Sequence, residues 1–129
     1  ADMTMALIMA VARRLIEDCG VSALHLHGFR PLVNSREHLD WFRAHGGRTH
    51  PENVKVALPK AKNLFVSFDL DVLDAAHAPG VSALNPAGWA VREAEAWVRA
   101  CGADPRVRCF DLMELNPTHD SEGRTAKEG

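Results

Sequence analysis

The chain has 129 residues, of which 47% are hydrophobic and 25% charged, so it is long enough for one globular domain with a core and too short for two. Its 15 basic and 17 acidic residues leave a formal net charge of -2, which gives no reason to expect nucleic acid or a membrane surface as a partner. Three cysteines without metal-site or redox spacing favour a cytoplasmic protein over a disulfide-linked secreted one. A small-molecule substrate remains as the expected partner.

The first half of the chain alternates between helix and strand signals. Apolar residues at helical spacing predict a helix over Thr4–Asp18, with Thr4 as its N-cap. The short apolar run Val21–His27 predicts a buried strand. Ser35 is a suitable N-cap for a second helix over Arg36–His45.

The second half repeats this alternation after a polar stretch. Residues Arg48–Lys62 predict a loop, with at most a brief extended piece at Val54–Leu58. A strand over Leu64–Phe68, a helix over Ala90–Cys101 and a strand over Val107–Leu112 follow. Strands separated by helices predict an α/β fold with a parallel sheet covered by helices. The large apolar side chains expected to fill the core are the methionines and Trp41, Trp89 and Trp97.

Several carboxylates follow the predicted strand Leu64–Phe68. Asp69 and Asp71 come directly after it, where the chain curves and both side chains can reach a common cation. Most Asp-x-Asp pairs are only solvated turn residues, but the apolar run before this pair favours a metal site for magnesium, calcium or manganese. Asp74 lies farther along the loop and is expected to make an Asx-type bond to the backbone instead.

A second acidic position follows the last predicted strand. Glu114 comes after Val107–Leu112, and ligands of parallel sheets bind beyond the carboxyl ends of the strands. Its carboxylate could therefore pair with a cationic amidine or guanidinium group of a substrate. A structural salt bridge explains Glu114 equally well on spacing alone.

The histidines are weaker candidates. We expect His25 and His27 to be packed, hydrogen-bonded strand residues, with at most one of them pointing at any given site. His77 and His119 fall in predicted loops near the same edge of the sheet and are weak candidates for metal binding or proton transfer.

The acidic segments also resemble a known family. They are similar to the metal motif and the C-terminal motif of the ureohydrolases, which include arginases, agmatinases and formimidoylglutamases. Details of the loop after Asp74 and of the C-terminal motif look most like formimidoylglutamases of histidine degradation. The segments that carry the resemblance are Ser67–Asp74 with Ala78–Ala83, Asp111–Pro117 with Asp120 and Arg124–Ala126, and His27–Leu32.

The resemblance implies an arginase-like, three-layer α-β-α fold around a parallel sheet, with residues 1–129 as the C-terminal part of a single ureohydrolase domain, incomplete at both ends. It implies a binuclear Mn2+ centre with Asp69 and Asp71 among its ligands, and Glu114 as the residue that holds the cationic substrate nitrogen. No residue is assigned as catalytic. The family's Asp-x-His-x-Asp motif does not occur in this sequence, so these residues alone would form an incomplete centre. A homo-oligomer is expected.

The function that this resemblance implies is manganese-dependent hydrolysis of N-formimidoyl-L-glutamate to L-glutamate and formamide. Arginase or agmatinase activity is an alternative within the family. A magnesium-dependent phosphatase of the haloacid-dehalogenase type, with Asp69 as nucleophile and Asp71 as general acid, is a second alternative. A truncated domain that has kept the fold and lost the chemistry is a third.

Overall fold

A computed structural model of the protein describes residues 11–28, 36–50, 55–81 and 84–128. The predicted N-caps Thr4 and Ser35 and the resembling segments 29–32 and 82–83 lie outside these residues. The chain separates into two compact units, Ala1–Val54 and Lys55–Gly129, here called the N-terminal unit and the C-terminal unit. The prediction of one domain stays a prediction. Within the described ranges, no helix is long and apolar enough to cross a membrane.

The N-terminal unit pairs two short strands. Helix α1, described over residues 11–17, is followed by strand β1, helix α2 and strand β2. Acidic Glu37 in the first turn of α2 and basic Arg43 in its last turn complement the helix dipole. The core of the unit is formed by Ala12 and Phe42, which are buried. The element bounds are β1 Leu24–Leu26, α2 Arg36–Ala44 and β2 Gly47–Thr49.

Strand β2 contradicts the prediction of a loop from Arg48 onward. It pairs in parallel with β1, with Leu26 opposite Thr49. A three-residue strand with glycine and arginine in it has no hydrophobic periodicity, so only its pairing with β1 identifies it. Gly47 is required here because a Cβ atom would overlap the ring of Phe42. The described residues 55–58, where a brief extended piece was expected, are not in a strand.

The C-terminal unit contains the longer strands. Strands β3 and β4 pair in parallel, with Ser67 opposite Asp111 and Asp69 opposite Met113. The predicted strands and helix of this unit are therefore present, with ends that differ by one or two residues. The bounds are β3 Leu64–Asp69, a 3-10 turn at Leu70–Val72, α3 Val91–Ala103, β4 Val107–Met113 and α4 Arg124–Glu128.

The core of the C-terminal unit lies under the acidic loop and not among the tryptophans. Leu70 and Leu73 are each only 2% exposed, and they are clustered with Ala78, Val81 and Ala94. Trp41, Trp89 and Trp97 are only half-buried. Trp41 packs against the Ala12–Phe42 core of the N-terminal unit, so the prediction that the tryptophans fill the core is confirmed only for Trp41 and only in part. An indole is so large that it is rarely buried completely, even where most of its surface is covered. The loop that carries the carboxylates is thus anchored by its own leucines.

Candidate active site

Asp69 and Asp71 lie together where β3 ends. Asp69 is the last residue of the strand and has extended backbone angles, φ -96° and ψ 120°. Its Oδ1 accepts a hydrogen bond of 2.9 Å from the backbone N–H of Asp71. Asp69 therefore caps the 3-10 turn that follows, and the turn brings the next carboxylate back toward the first.

The electrostatics of this pair favour a bound cation. The pKa of Asp69 is raised to about 7, first because the group is buried and then because the negative charges of Asp71 and Glu114 repel its ionised form. The hydrogen bond from the Asp71 backbone opposes this rise. A divalent cation at the strand end would remove the cause of the shift, since it compensates both the repulsion and the lost hydration.

Glu114 lies one residue beyond the end of β4. Its φ of 70° is in the left-handed region, which costs of the order of 1 kcal/mol or more for a residue other than glycine. Met113, the residue before it, is opposite Asp69 in the strand register. Parallel pairing thus brings Glu114 to the same edge as the Asp69–Asp71 pair, close enough to raise the pKa of Asp69. The three carboxylates do not form a three-ligand metal group among the described residues.

Asp74 has the turn role expected for it. Its Oδ1 accepts a hydrogen bond of 2.9 Å from the backbone N–H of Ala76, which is an Asx turn. Its own backbone N–H donates to the carbonyl of Trp89 over 2.9 Å. Asp74 therefore shapes the loop, and its carboxylate is engaged in holding the turn.

The two acidic motifs are tied together through Gly80. Its N–H donates to Oγ1 of the fully buried Thr125 over 2.6 Å, and its carbonyl accepts from the N–H of Asn116 over 2.7 Å. The Asp120 carboxylate accepts from the N–H groups of Thr125 and Ala126 over 2.7 and 3.1 Å. A Cβ atom on Gly80 would lie 2.5 Å from Cβ of Asp120 and 2.7 Å from its Cα. Residues far apart in sequence thus hold the acidic loop in one conformation.

The histidines fit the prediction in part, since His25 and His27 are packed against His50. His77 and His119 are exposed. In contrast, His25, His27 and His50 converge, and one ligand nitrogen from each lies within 4.8 Å of the others. The prediction that at most one of His25 and His27 points at a given site is wrong, because residues two apart on a strand share a face. The His25-x-His27 pair was the feature of the sequence that could have indicated this group. The proximity of His50 could not be predicted, because strand β2, which brings it next to β1, was not recognised.

Comparison with known proteins agrees with these observations. Residues 35–129 match the model of the Arginase family. A formimidoylglutamase from Halobacterium salinarum is 37% identical in a 125-residue alignment that covers 87% of this chain and 40% of that protein. The chain spans about 40% of the length of the curated relatives it matches.

Solved structures show the same relationship. A formimidoylglutamase from Bacillus subtilis matches with a TM-score of 0.79 and 28% identity, over 90% of this chain and 41% of that one. A formiminoglutamase from Trypanosoma cruzi, solved with Mn2+ at pH 6.0, matches with a TM-score of 0.78 and 25% identity, over 90% of this chain and 44% of that one. The arginase-like α/β fold is thereby confirmed. With a family match over residues 35–129 and this fold, the chain belongs to the arginase family.

Proposed function

We propose that this chain contributes to manganese-dependent hydrolysis of a linear amidine C–N bond, with N-formimidoyl-L-glutamate as substrate. Addition of one water molecule breaks the bond between the formimidoyl carbon and the glutamate nitrogen, and it yields L-glutamate and formamide. The observation that carries the proposal is the carboxylate group at the ends of β3 and β4, where burial and mutual repulsion raise the pKa of Asp69 to about 7. The similarity to formimidoylglutamases supports the choice of substrate.

Asp69 and Asp71 are the proposed manganese ligands. Carboxylate oxygens are hard donors of the type that Mn2+ accepts, and the turn at Leu70–Val72 brings both to the strand end. When bound, manganese would lower the pKa of a coordinated water so that hydroxide is available at neutral pH. The two aspartates are a partial ligand set, consistent with a chain that spans about 40% of its relatives.

Glu114 is proposed to bind the substrate. An amidinium group presents N–H donors in a plane, and a carboxylate accepts two such donors with good geometry. Glu114 does not complete a three-ligand group with the aspartates in the described part of the chain. In this proposal its carboxylate orients the substrate nitrogen, and its negative charge would stabilise the protonated amidine.

The cellular location and the oligomeric state are also proposals. Cys19 and Cys109 are free and exposed, which suits the reducing cytoplasm. We propose the cytoplasm as the site of the reaction. A homo-oligomeric assembly remains a prediction.

A turnover assay tests this function. Glutamate and formamide release would be followed after addition of N-formimidoyl-L-glutamate to the manganese-loaded protein. Glu114→Gln should lower turnover at least about tenfold and leave the manganese content unchanged, since one charged substrate contact is lost. Glu122→Gln is the matched control, because Glu122 also has a positive φ of 59° and is exposed.

Three outcomes would count against the proposal. Absence of glutamate release with manganese bound would remove amidine hydrolysis as the activity of this protein. Loss of manganese in Glu114→Gln would place Glu114 among the metal ligands. Equal turnover of Glu114→Gln and Glu122→Gln would remove Glu114 from the substrate site.

A further inference from the structure

The N-terminal unit contains a group of three histidines that the proposed reaction does not use. Parallel pairing of β1 and β2 creates it. Leu26 is opposite Thr49, and the backbone N–H of His50 donates to the carbonyl of Leu26 over 2.9 Å. His27 and His50 therefore leave the two strands side by side, and His25 lies two residues earlier on the same face.

The side chains of this group are in direct contact. Nδ1 of His25 and Nε2 of His50 are 2.9 Å apart. The ring of His50 is stacked against both others, with centroid distances of 4.2 Å to His27 and 5.2 Å to His25. All three residues are half-buried. The two strands thus place one nitrogen from each of three imidazoles within 4.8 Å of the others.

The protonation state of the group suits metal binding. Burial, and then the neighbouring imidazoles, lower the pKa of His27 to about 4. The pKa of His25 is also lowered, by burial first and then by His50 and Arg48. At neutral pH both rings are therefore in the neutral form, which is the form that binds metals.

We propose that His25, His27 and His50 bind one zinc ion. Neutral imidazoles favour zinc and its neighbours in the transition series, whereas carboxylates favour manganese and magnesium. Three nitrogen ligands plus one water complete the usual tetrahedral shell of zinc.

The distances between the imidazole nitrogens permit zinc coordination after a small rearrangement. Nitrogen ligands in a tetrahedral zinc site lie about 3.3 Å apart, given Zn–N bonds of about 2.0 Å. The present nitrogens lie within 4.8 Å of one another, so each separation has to change by no more than about 1.5 Å to reach this value. The ion would replace the contact between His25 and His50 by two metal–nitrogen bonds. Its charge would then stabilise the neutral rings further.

Packing alone is the competing explanation. Stacked, hydrogen-bonded histidines can be structural, and one bond between His25 and His50 already pairs two nitrogens. A purely structural group would bind zinc no better than scattered surface histidines. The measurement of zinc affinity therefore separates the two explanations.

The experiment is a zinc titration by calorimetry on protein without an affinity tag. The Asp69→Asn/Asp71→Asn double variant serves as the starting protein, so that zinc binding to the carboxylate pair does not contribute. One zinc ion per chain is expected. His50→Gln should weaken binding at least about 100-fold, because it removes the histidine that touches both others. His45→Gln is the control, since His45 is exposed and outside the group.

A second measurement covers the case in which His50→Gln fails to fold. His25→Gln should then weaken zinc binding at least about tenfold, with folding checked by circular dichroism. Cobalt substituted for zinc should give the visible absorption of a tetrahedral site, and this should disappear in the same variants. Unchanged zinc affinity in a folded His50→Gln or His25→Gln protein, or absence of stoichiometric zinc binding in the starting protein, would overturn the proposal. Neither result depends on whether the protein hydrolyses amidines.

Discussion

Burial shifts pKa values in opposite directions in the histidine group of the N-terminal unit and the carboxylate group of the C-terminal unit. Each forms where a pair of parallel strands ends, at Leu26 and Thr49 in one case and at Asp69 and Met113 in the other. Burial disfavours the charged form in both. It therefore raises the pKa of the acid Asp69 to about 7 and lowers that of the base His27 to about 4.

This difference has consequences for metal binding. Near neutral pH the carboxylate pair still holds part of a proton, which a metal must displace, whereas the imidazoles of His25 and His27 are in the neutral form. The donor atoms differ as well, with oxygen in one group and nitrogen in the other, so the two groups should prefer different ions. Three experiments test the difference between the two groups and the packing that supports the acidic one.

The largest effect is expected from removing a carboxylate ligand. Asp71→Ala should weaken manganese binding at least about 100-fold, since a ligand is lost from a partial set. Asp74→Ala should change it by less than about threefold, because the carboxylate of Asp74 bonds to the Ala76 backbone instead. Calorimetric titration of both variants with manganese provides the measurement.

Equal losses in the two variants would show that the whole loop, and not the Asp69–Asp71 pair, determines manganese affinity. His50→Gln provides a control from the other unit, and it should leave manganese affinity unchanged.

A smaller effect is expected from adding a methyl group at Gly80. Gly80→Ala should lower the free energy of unfolding by about 2 kcal/mol, since the added Cβ would overlap the Cα and Cβ atoms of Asp120, and the Cα cannot move without its backbone. Gly102→Ala is the matched control. Nothing lies within 4 Å of a Cβ atom at that helical position, so this variant should gain up to about 1 kcal/mol. Urea unfolding measures both changes, and a Gly80→Ala protein as stable as the parent would contradict the close packing of the two acidic motifs.

The smallest effect is a difference in pH dependence. In metal-free protein, the raised pKa of Asp69 contributes stability that is lost as pH rises from about 4 to about 7. The lowered pKa of His27 contributes stability that is present above pH 6.5 and lost as pH falls toward about 4. The two contributions oppose each other in the parent, each with a slope of at most about 1.4 kcal/mol per pH unit.

Single variants should separate these slopes. Between pH 4.5 and 6.5, in the presence of a chelator, Asp69→Asn should become more stable with rising pH and His27→Gln less stable. Urea unfolding at several pH values provides the measurement. Slopes of the same sign in the two variants would mean that burial does not act oppositely on the two groups.

Much of the C-terminal unit could be predicted from local patterns. The apolar run into Asp69, the helical spacing of Val91–Ala103 and the run into Glu114 each contain their own signal. The Asx turn of Asp74 could be anticipated for the same reason, since the side chain and its partner are two residues apart. The N-terminal unit was harder to predict from the sequence, because β2 is only three residues long and has no hydrophobic periodicity.

Periodicity and chain order are local properties, so the amino-acid sequence was enough to predict most of the alternation of strands and helices and the positions of Asp69, Asp71 and Glu114 at strand ends. Three features became visible only in the folded chain: Thr125 and Asp120 pack against Gly80, the leucines of the acidic loop form the core, and His50 joins His25 and His27. These contacts connect residues that are distant in sequence, and they depend on strand register and close packing. No local pattern specifies register, since it follows from which strands pair and which faces they bury.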